Sequence, residues 1–224
     1  MKLSIIIPTL NEEAVIGDTL SSLVSRRNKD IEIVISDGGS ADRTVALCHT
    51  VTDVIVQGPQ GRARQMNRGA AAASGDVLLF LHADTRLPDD FISAIEHALL
   101  ADDTVWGYFD ISLSGQRRSF RIIEGMINLR TAITAIASGD QALFVTRQVF
   151  EKLGGYPDIK LMEDIAFSRQ LKRLSRPARI RQRATTSSRR WQENGIARTV
   201  LLMWYLRLAY YCGVDPDRLW QRYK

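Results

Sequence analysis

The sequence predicts an α/β fold with a mostly parallel central sheet, and three observations predict it. Short β-branched, apolar runs alternate with stretches of helical character through the first third of the chain. One run, Val77–Leu81, is apolar without interruption, the mark of a strand buried on both faces. The residues just after these runs turn polar and acidic, as expected where a parallel sheet opens onto a ligand crevice. Taken in order, Leu3–Ile7, Ile31–Ile35 and Asp53–Val56 read as strands separated by helices near Glu12–Arg26 and Asp42–His49. A helix rich in Ala and Arg, Arg62–Ala73, leads into the strand at Val77. The second half opens with an alternating segment, Trp106–Leu113, followed by an amphipathic helix around Phe120–Ala137. Gln141–Val145 reads as a short strand, Met162–Leu174 as a helix, and Ile196–Cys212 as a strongly apolar helix stopped by Gly213.

With 224 residues, 45% of them hydrophobic and 25% charged, the chain has globular composition and the length of one generous domain. Disorder and collagen-like repeats are excluded. Cys48 and Cys212 make neither a metal-ligand spacing nor a disulfide framework, which points to a reducing, cytoplasmic compartment. The opening MKLSIIIPTLNEE lacks the apolar stretch of a signal peptide, and no window holds the apolar run of a membrane span. The net charge of +5 conceals a split. Residues 1–115 carry 9 Lys and Arg against 16 Asp and Glu, whereas residues 116–224 carry 21 against 9. Between Ile165 and Gln192 stand Arg169, Lys172, Arg173, Arg176, Arg179, Arg181, Arg183, Arg189 and Arg190 with no acid among them. Such a field attracts the phosphates of a nucleotide, a nucleic acid or an anionic membrane surface, or simply keeps a solvated face soluble.

The strand ends carry the candidate chemistry. Pro8, Thr9, Asn11 and Glu12 follow the first run; Asp37, Gly38, Gly39 and Ser40 follow the second; His82, Ala83 and Asp84 follow Leu81. Asp37 beside two glycines offers an acceptor for a polar nucleobase, or else a helix-capping turn. Asp84 is a hard carboxylate suited to hold a divalent cation against two phosphates. Arg62 starts its helix where an anion would approach, while Arg68 reads as a solvated edge. Glu163 and Asp164 open a helix after the Gly154–Pro157 turn, either complementing the helix terminus or taking a proton from a hydroxyl. Arg190 offers a guanidinium to an anion, and Trp191 an indole face that stacks on a ring or packs in the core. Val200–Leu206 is too apolar for an exposed helix, so it packs on the domain, joins a dimer or lies in a membrane interface.

In this order, IIIPTLNEE, DGGSADRT, LFLHADT, SGDQALFV and MEDIAFSRQL resemble glycosyltransferase family 2, whose fold is GT-A. Within it the chain looks most like short stand-alone bacterial members associated with radical-SAM and selenium-domain proteins. The resemblance implies an inverting transfer from a nucleotide sugar, UDP-linked by family frequency, to a hydroxyl acceptor that is lipid-linked, a saccharide or a small molecule. It implies a divalent cation, Mn²⁺ or Mg²⁺. By the same resemblance Asp37 contacts the base or ribose, with Pro8, Thr9 and Glu12 across the pocket. Asp84 matches the last Asp of the DxD element, whose first Asp is here His82, a Mn²⁺ ligand or a lining of the sugar pocket. Asp164 becomes the general base, Glu163 orients the acceptor or a cation, and Asp140 belongs to the acceptor loop. Arg190 and Trp191 match an Arg-x-x-Arg-Trp element loosely. The implied division is a GT-A domain over 1–190, with a nucleotide-sugar part at 1–115 and an acceptor part at 116–190, and a helical extension at 191–224. Three other readings compete. Nucleotidyl transfer would need a glycine-rich loop where Pro8–Glu12 stands. A nucleic-acid surface lacks an aromatic platform and would face an acidic first half. A catalytically silent nucleotide-sugar sensor is the third.

Overall fold

The computed structural model describes residues 1–26, 29–101 and 103–223, apart from the side chains of Arg190 and Asn194. The first half contains β1 (Leu3–Thr9), α1 (Ile16–Val24), β2 (Ile31–Asp37), α2 (Thr44–Cys48), β3 (Val54–Gln57), α3 (Arg62–Ala72), β4 (Val77–Phe80), β5 (Thr85–Arg86), α4 (Phe91–Leu99) and β6 (Trp106–Leu113). The second contains α5 (Arg118–Thr134), β7 (Phe144–Thr146), α6 (Arg147–Lys152), α7 (Glu163–Leu171), β8 (Ala178–Thr186), α8 (Arg189–Asn194), α9 (Ile196–Tyr211) and α10 (Pro216–Tyr223). Among the described residues the strands form one sheet in the order β3-β2-β1-β4-β7-β6-β8-β5. The β3-β2-β1-β4 half is parallel. β7 runs antiparallel to both β4 and β6, and β8 returns parallel to β6. This is the predicted α/β architecture with a mostly parallel sheet and helices on its faces.

Period-two burial explains why the apolar runs became strands. Ile5, Ile7, Ile33, Ile35 and Leu79 pack to one side with Leu20, Leu23, Phe91 and Ile95. Ile6, Val34, Leu78 and Phe80 pack to the other with Met66, Ala70 and the rings of Phe150, Tyr156 and Phe167. Those rings meet edge-on or tilted, with centroids 4.4–6.1 Å apart. α3 lies close on the sheet because Gly69 has no side chain. A Cβ there would come within 2.5 Å of Ile6 Cγ2. Gly69→Ala is therefore expected to destabilise the fold by about 1–2 kcal/mol through overpacking, read as a lower urea midpoint at unchanged slope.

Register positions the site. Thr9 pairs with Asp37, and Ile6 pairs with Phe80, so the loops after β1, β2 and β4 leave the sheet along one rim.

Several boundaries differ from the sequence reading for local reasons. The segment read as a strand over Gln141–Val145 begins instead as a 3-10 turn, Gly139–Gln141, closed by a capping box between Ser138 and Gln141. Ala142 then takes a left-handed conformation, and β7 starts only at Phe144. Met162 is also left-handed, so α7 starts at Glu163 rather than Met162. The first helix opens at Ile16 because Asn11 turns left-handed and Glu12 closes a turn before it.

The largest difference concerns the cationic segment. Arg179, Arg181 and Arg183 sit on β8, a segment whose charges the sequence reads as a field for phosphates or a solvated face. Arg179 holds Asp110 in a two-pronged pair at 2.8 and 2.9 Å, and Arg183 lies 3.5 Å from the buried Glu124. The Arg179 and Arg183 charges are thus balanced by acids of the domain itself.

Candidate active site

A cleft of about 240 Å³ opens at this rim. Its floor is Pro8 and Glu12 from the loop after β1, and His82, Ala83 and Asp84 from the loop after β4. Arg62 enters from the first turn of α3. Ser138, Gly139 and Asp140 from the 3-10 turn, together with Glu163 and Asp164 from the first turn of α7, form the facing wall. Trp191 of α8 closes one end. The fold thus gathers nine of the sequence candidates, drawn from six segments far apart in the chain, around one cavity.

Acidic groups dominate the electrostatics. Burial and the negative charge of Asp84 push the Glu12 carboxyl above its ordinary range, against the pull of Arg189, Arg62 and His82. Arg189 Nη2 lies 3.9 Å from Glu12 Oε2. Glu163 is buried at 4% exposure, and its carboxyl is pushed up to about 7. Burial is the main cause and the adjacent Asp164 adds to it, while the Arg62 guanidinium, 3.9 Å away, offsets part. Asp164 accepts hydrogen bonds from the Gly139 N–H at 2.9 Å and the Ile165 N–H at 2.7 Å, which tie the α7 terminus to the 3-10 turn.

His82 braces the site. Its Nδ1 stands 3.0 Å from Asp140 Oδ1, and its buried Nε2, against Gly139, finds no hydrogen-bond partner among the described residues. A Cβ at Gly139 would fall 2.4 Å from that nitrogen. Gly139→Ala is therefore expected to displace His82 or the 3-10 turn, lowering the thermal midpoint by a few degrees; an unchanged midpoint would show that the imidazole yields freely.

Thr9 and Asp37 stand apart from the cleft lining. Asp37 is fully buried and accepts hydrogen bonds from Thr9 Oγ1 at 3.1 Å, Ser40 Oγ at 2.5 Å, and the N–H groups of Gly39 and Ser40, both at 2.9 Å. Burial alone would raise its pKa, but these bonds outweigh it and hold the carboxyl below the usual range. Its carboxylate is thereby engaged in organising its own loop. Gln65 adds to the same support, donating to the Thr9 and Ser36 carbonyls. Arg68, read as a solvated edge, donates to the Asp37 and Pro59 carbonyls. Trp191 also packs with Leu113, Phe120 and Ile123 while facing the cleft. Arg190 lies outside the residues whose side chains are described; its neighbour Arg189 makes the contact with Glu12.

Sequence reading missed the contribution of the C-terminal helices. Thr199, Met203 and Arg207 of α9 and Tyr223 of α10 line the same cleft. The signal was slight: Thr199 and Arg207, eight positions apart with Met203 between them, fall on one face of a largely apolar helix. α9 and α10 are seated by Leu206 and Leu219, buried against Ile136, Met162 and Ile165.

The profile of Glycosyl transferase family 2 matches residues 4–152. A PGL/p-HBAD biosynthesis glycosyltransferase of Mycobacterium tuberculosis is 32% identical over 164 residues, covering 68% of this chain and 62% of the relative. The chain thus spans about six tenths of the length of these curated relatives. The crystal structure of S. aureus TarS 1-349 superposes with a TM-score of 0.67 at 18% identity, covering 84% of this chain and 61% of that one. Glucosyl-3-phosphoglycerate synthase from Mycobacterium tuberculosis, in complex with Mn²⁺, UDP and glucosyl-3-phosphoglycerate, superposes with a TM-score of 0.66 at 20% identity, covering 96% and 81%. With the profile spanning well over half of its residues and the sheet superposing on those GT-A structures, the chain belongs to glycosyl transferase family 2.

Proposed function

We propose that this chain transfers a sugar, with inversion, from a nucleoside-diphosphate sugar to a hydroxyl acceptor. The observation that carries the reading is the convergence of Asp84, from the loop after β4, and Asp164, from the start of α7, on one cleft. Support also comes from structures of the same fold. TarS has been crystallised with UDP-GlcNAc, and a Pyrobaculum calidifontis mannosyltransferase with GDP-Man and Mn²⁺. UDP is the expected nucleotide of this chain's donor.

The donor set fits a hard divalent cation. Glu12 and Asp84 line the same cleft, and after burial the negative charge of Asp84 is the next cause that raises the Glu12 carboxyl, a repulsion that positive charge beside Asp84 would relieve. When bound, such a cation supplies charge to the two phosphates of the donor. Among the described residues no group of three or more His, Cys, Asp and Glu side chains converges in a metal-holding arrangement, and Asp84 is the residue that would hold such a cation.

Asp164 takes the acceptor's proton as that oxygen bonds to the anomeric carbon. The bond from that carbon to the diphosphate breaks with its electron pair on the leaving group, inverting the centre. Arg62, at the cleft wall beside Glu163, faces the charge that develops. The Gly139 N–H fixes the aim of Asp164, and His82 holds the turn bearing Gly139 through Asp140. Asp37 shapes the loop that borders the nucleoside pocket.

A thermal-shift panel of UDP-, GDP- and dTDP-sugars with Mn²⁺ tests donor binding, since a ligand at a hundredfold its Kd stabilises the fold by about 2.7 kcal/mol. The midpoint is expected to rise with a UDP-sugar and Mn²⁺ together. Asp84→Asn is expected to lose the metal-dependent part of that rise. A rise equal in Asp84→Asn and the parent would overturn the assignment of Asp84.

A further inference from the structure

Two helices leave a broad apolar face bare. On α5, Ile122, Met126, Leu129 and Ile133 recur at helical spacing along the outward side; on α9, Leu201, Trp204, Leu208 and Tyr211 do the same. Ile122, Leu129, Ile133, Leu201, Trp204 and Leu208 are each 61–75% exposed. The two helices meet near their starts and run in the same sense. Phe120, Ile123 and Ile127 share a hydrophobic cluster with Ile196 and Val200 near one end, and Ile133 and Tyr211 line a common cavity at the other.

Helical phase, at about 100° per residue, shows that the two stripes form one surface. On α5 the stripe lies roughly 120° to one side of the residues directed at α9. On α9 it lies roughly 75° to the opposite side of the residues directed at α5. Two parallel helices offset in this manner turn their stripes the same way. The opposite side of α9 is already used, by Leu206 in the core and by Thr199, Met203 and Arg207 in the cleft.

Charge identifies the occupant. Arg118 stands at the N-terminal end of α5, and Arg169, Lys172 and Arg173 surround the cavity at its C-terminal end. Lys172 Nζ donates to the Thr134 carbonyl at 3.0 Å, and the Arg169 guanidinium lies 4.3 Å from the Tyr211 ring centroid. α5 and α9 together hold a single acid, Glu124, which is buried and paired with Arg121 and Arg183. A two-fold pair of copies meeting through this face would press cationic rims together with no acid between them from either helix. An anionic lipid surface complements both features: apolar side chains enter the acyl boundary, Trp204 and Tyr211 sit at the headgroup level, and the rim cations meet lipid phosphates. α9 is 16 residues, about 24 Å long, and no helix among the described residues is long and apolar enough to cross a membrane, so the face lies on the bilayer.

We infer that the α5–α9 face docks this protein on an anionic bilayer. The inference is separate from the proposed reaction, and its test reads no turnover. The full chain is sedimented with vesicles of phosphatidylcholine alone and of phosphatidylcholine mixed with phosphatidylglycerol. Co-sedimentation is expected with the mixed vesicles, at least tenfold weaker with phosphatidylcholine alone, and reduced but not abolished by high salt. Leu129→Glu combined with Leu208→Glu is expected to lower vesicle partitioning at least tenfold while the thermal midpoint holds. In the parent, tryptophan emission is expected to shift to the blue on vesicle addition, and Trp204→Phe to remove that shift. Absence of co-sedimentation at low salt, or co-sedimentation and emission shift indifferent to these substitutions, would overturn the proposal. A concentration-dependent dimer that Leu129→Glu and Leu208→Glu dissociate, without vesicle binding, would give the face to a second copy instead.

Discussion

Replacing Asp164 by Asn is expected to lower turnover by about 10²–10⁴-fold, the usual contribution of a positioned general base, while binding of a UDP-sugar stays within a few fold of the parent. The split follows from what the side chain does. Its two oxygens accept from the N–H groups of Gly139 and Ile165; the Gly139 bond is the tether between the 3-10 turn and α7, and an Asn carbonyl turned toward Gly139 keeps it. What Asn lacks is basicity toward an acceptor hydroxyl. Losing one hydrogen bond of this kind costs about 1 kcal/mol, too little to unfold the protein and far too little to explain a thousandfold loss of rate. Glu163→Gln provides the contrast. Glu163 is buried beside Arg62, and as a residue that positions the acceptor its loss should reduce turnover by about tenfold or less, against the several hundredfold expected of a base. The measurement is initial rate at saturating donor for both variants, with donor affinity determined separately. Should Glu163→Gln abolish turnover and Asp164→Asn leave it largely intact, the two carboxylates exchange roles.

Most of this site was legible because its parts lie at strand ends. The runs Leu3–Ile7, Ile31–Ile35 and Val77–Leu81 alternate or saturate with apolar residues strongly enough to announce strands, and a parallel sheet then dictates that Glu12 and Asp84 share a rim. Trp106–Leu113 kept its predicted bounds because its pattern is set by burial on both faces. β8 was hidden for a physical reason. Its pairing with β6 shifts register between Phe109 and Asp110, placing Arg181, Gln182 and Arg183 outward in succession and breaking the period of two. Arg179 and Arg183 consequently looked like free cations, whereas their partners Asp110 and Glu124 lie 69 and 59 positions away in sequence. The part played by His82 was equally out of reach. Only the folded chain places the Gly139 backbone on its Nε2 and Asp140 at its Nδ1. The cleft contribution of Arg207 depended on which side of an almost uniformly apolar helix turned inward, and tertiary packing of Leu206 decided that.

The Glu163–Asp164 pair makes stability depend on pH in a direction opposite to that of an ordinary salt-bridged carboxylate. Glu163 is pushed up from 4.5 to about 7 in the folded protein, so between those values the folded state holds a proton that the unfolded chain has released. Stability contributed by this site is therefore fully present below about pH 4.5 and is lost progressively as pH rises through about 7. A shift of this size corresponds to about 3–4 kcal/mol at most, since each pKa unit is worth about 1.4 kcal/mol. Glu163→Gln keeps the shape and carries no charge, so it should be the more stable protein at pH 8 by up to that amount. The advantage should shrink toward pH 5, where the parent is already neutral. Urea unfolding of both proteins at several pH values between 5 and 8 checks this, with the difference in midpoints expected to widen as pH rises. Asp164→Asn should give a partial version of the same result, because removing the adjacent negative charge returns part of the Glu163 shift while leaving burial, its larger cause, in place. A difference between parent and Glu163→Gln that stays constant from pH 5 to 8 would mean that Glu163 is ionised throughout, and that Arg62 balances burial and Asp164 completely. In the proposed enzyme the elevated carboxyl has a use. A neutral Glu163 spares Asp164 a second negative charge at its side and can donate a hydrogen bond to an acceptor oxygen, whereas two ionised carboxylates at the head of α7 would compete for the same proton.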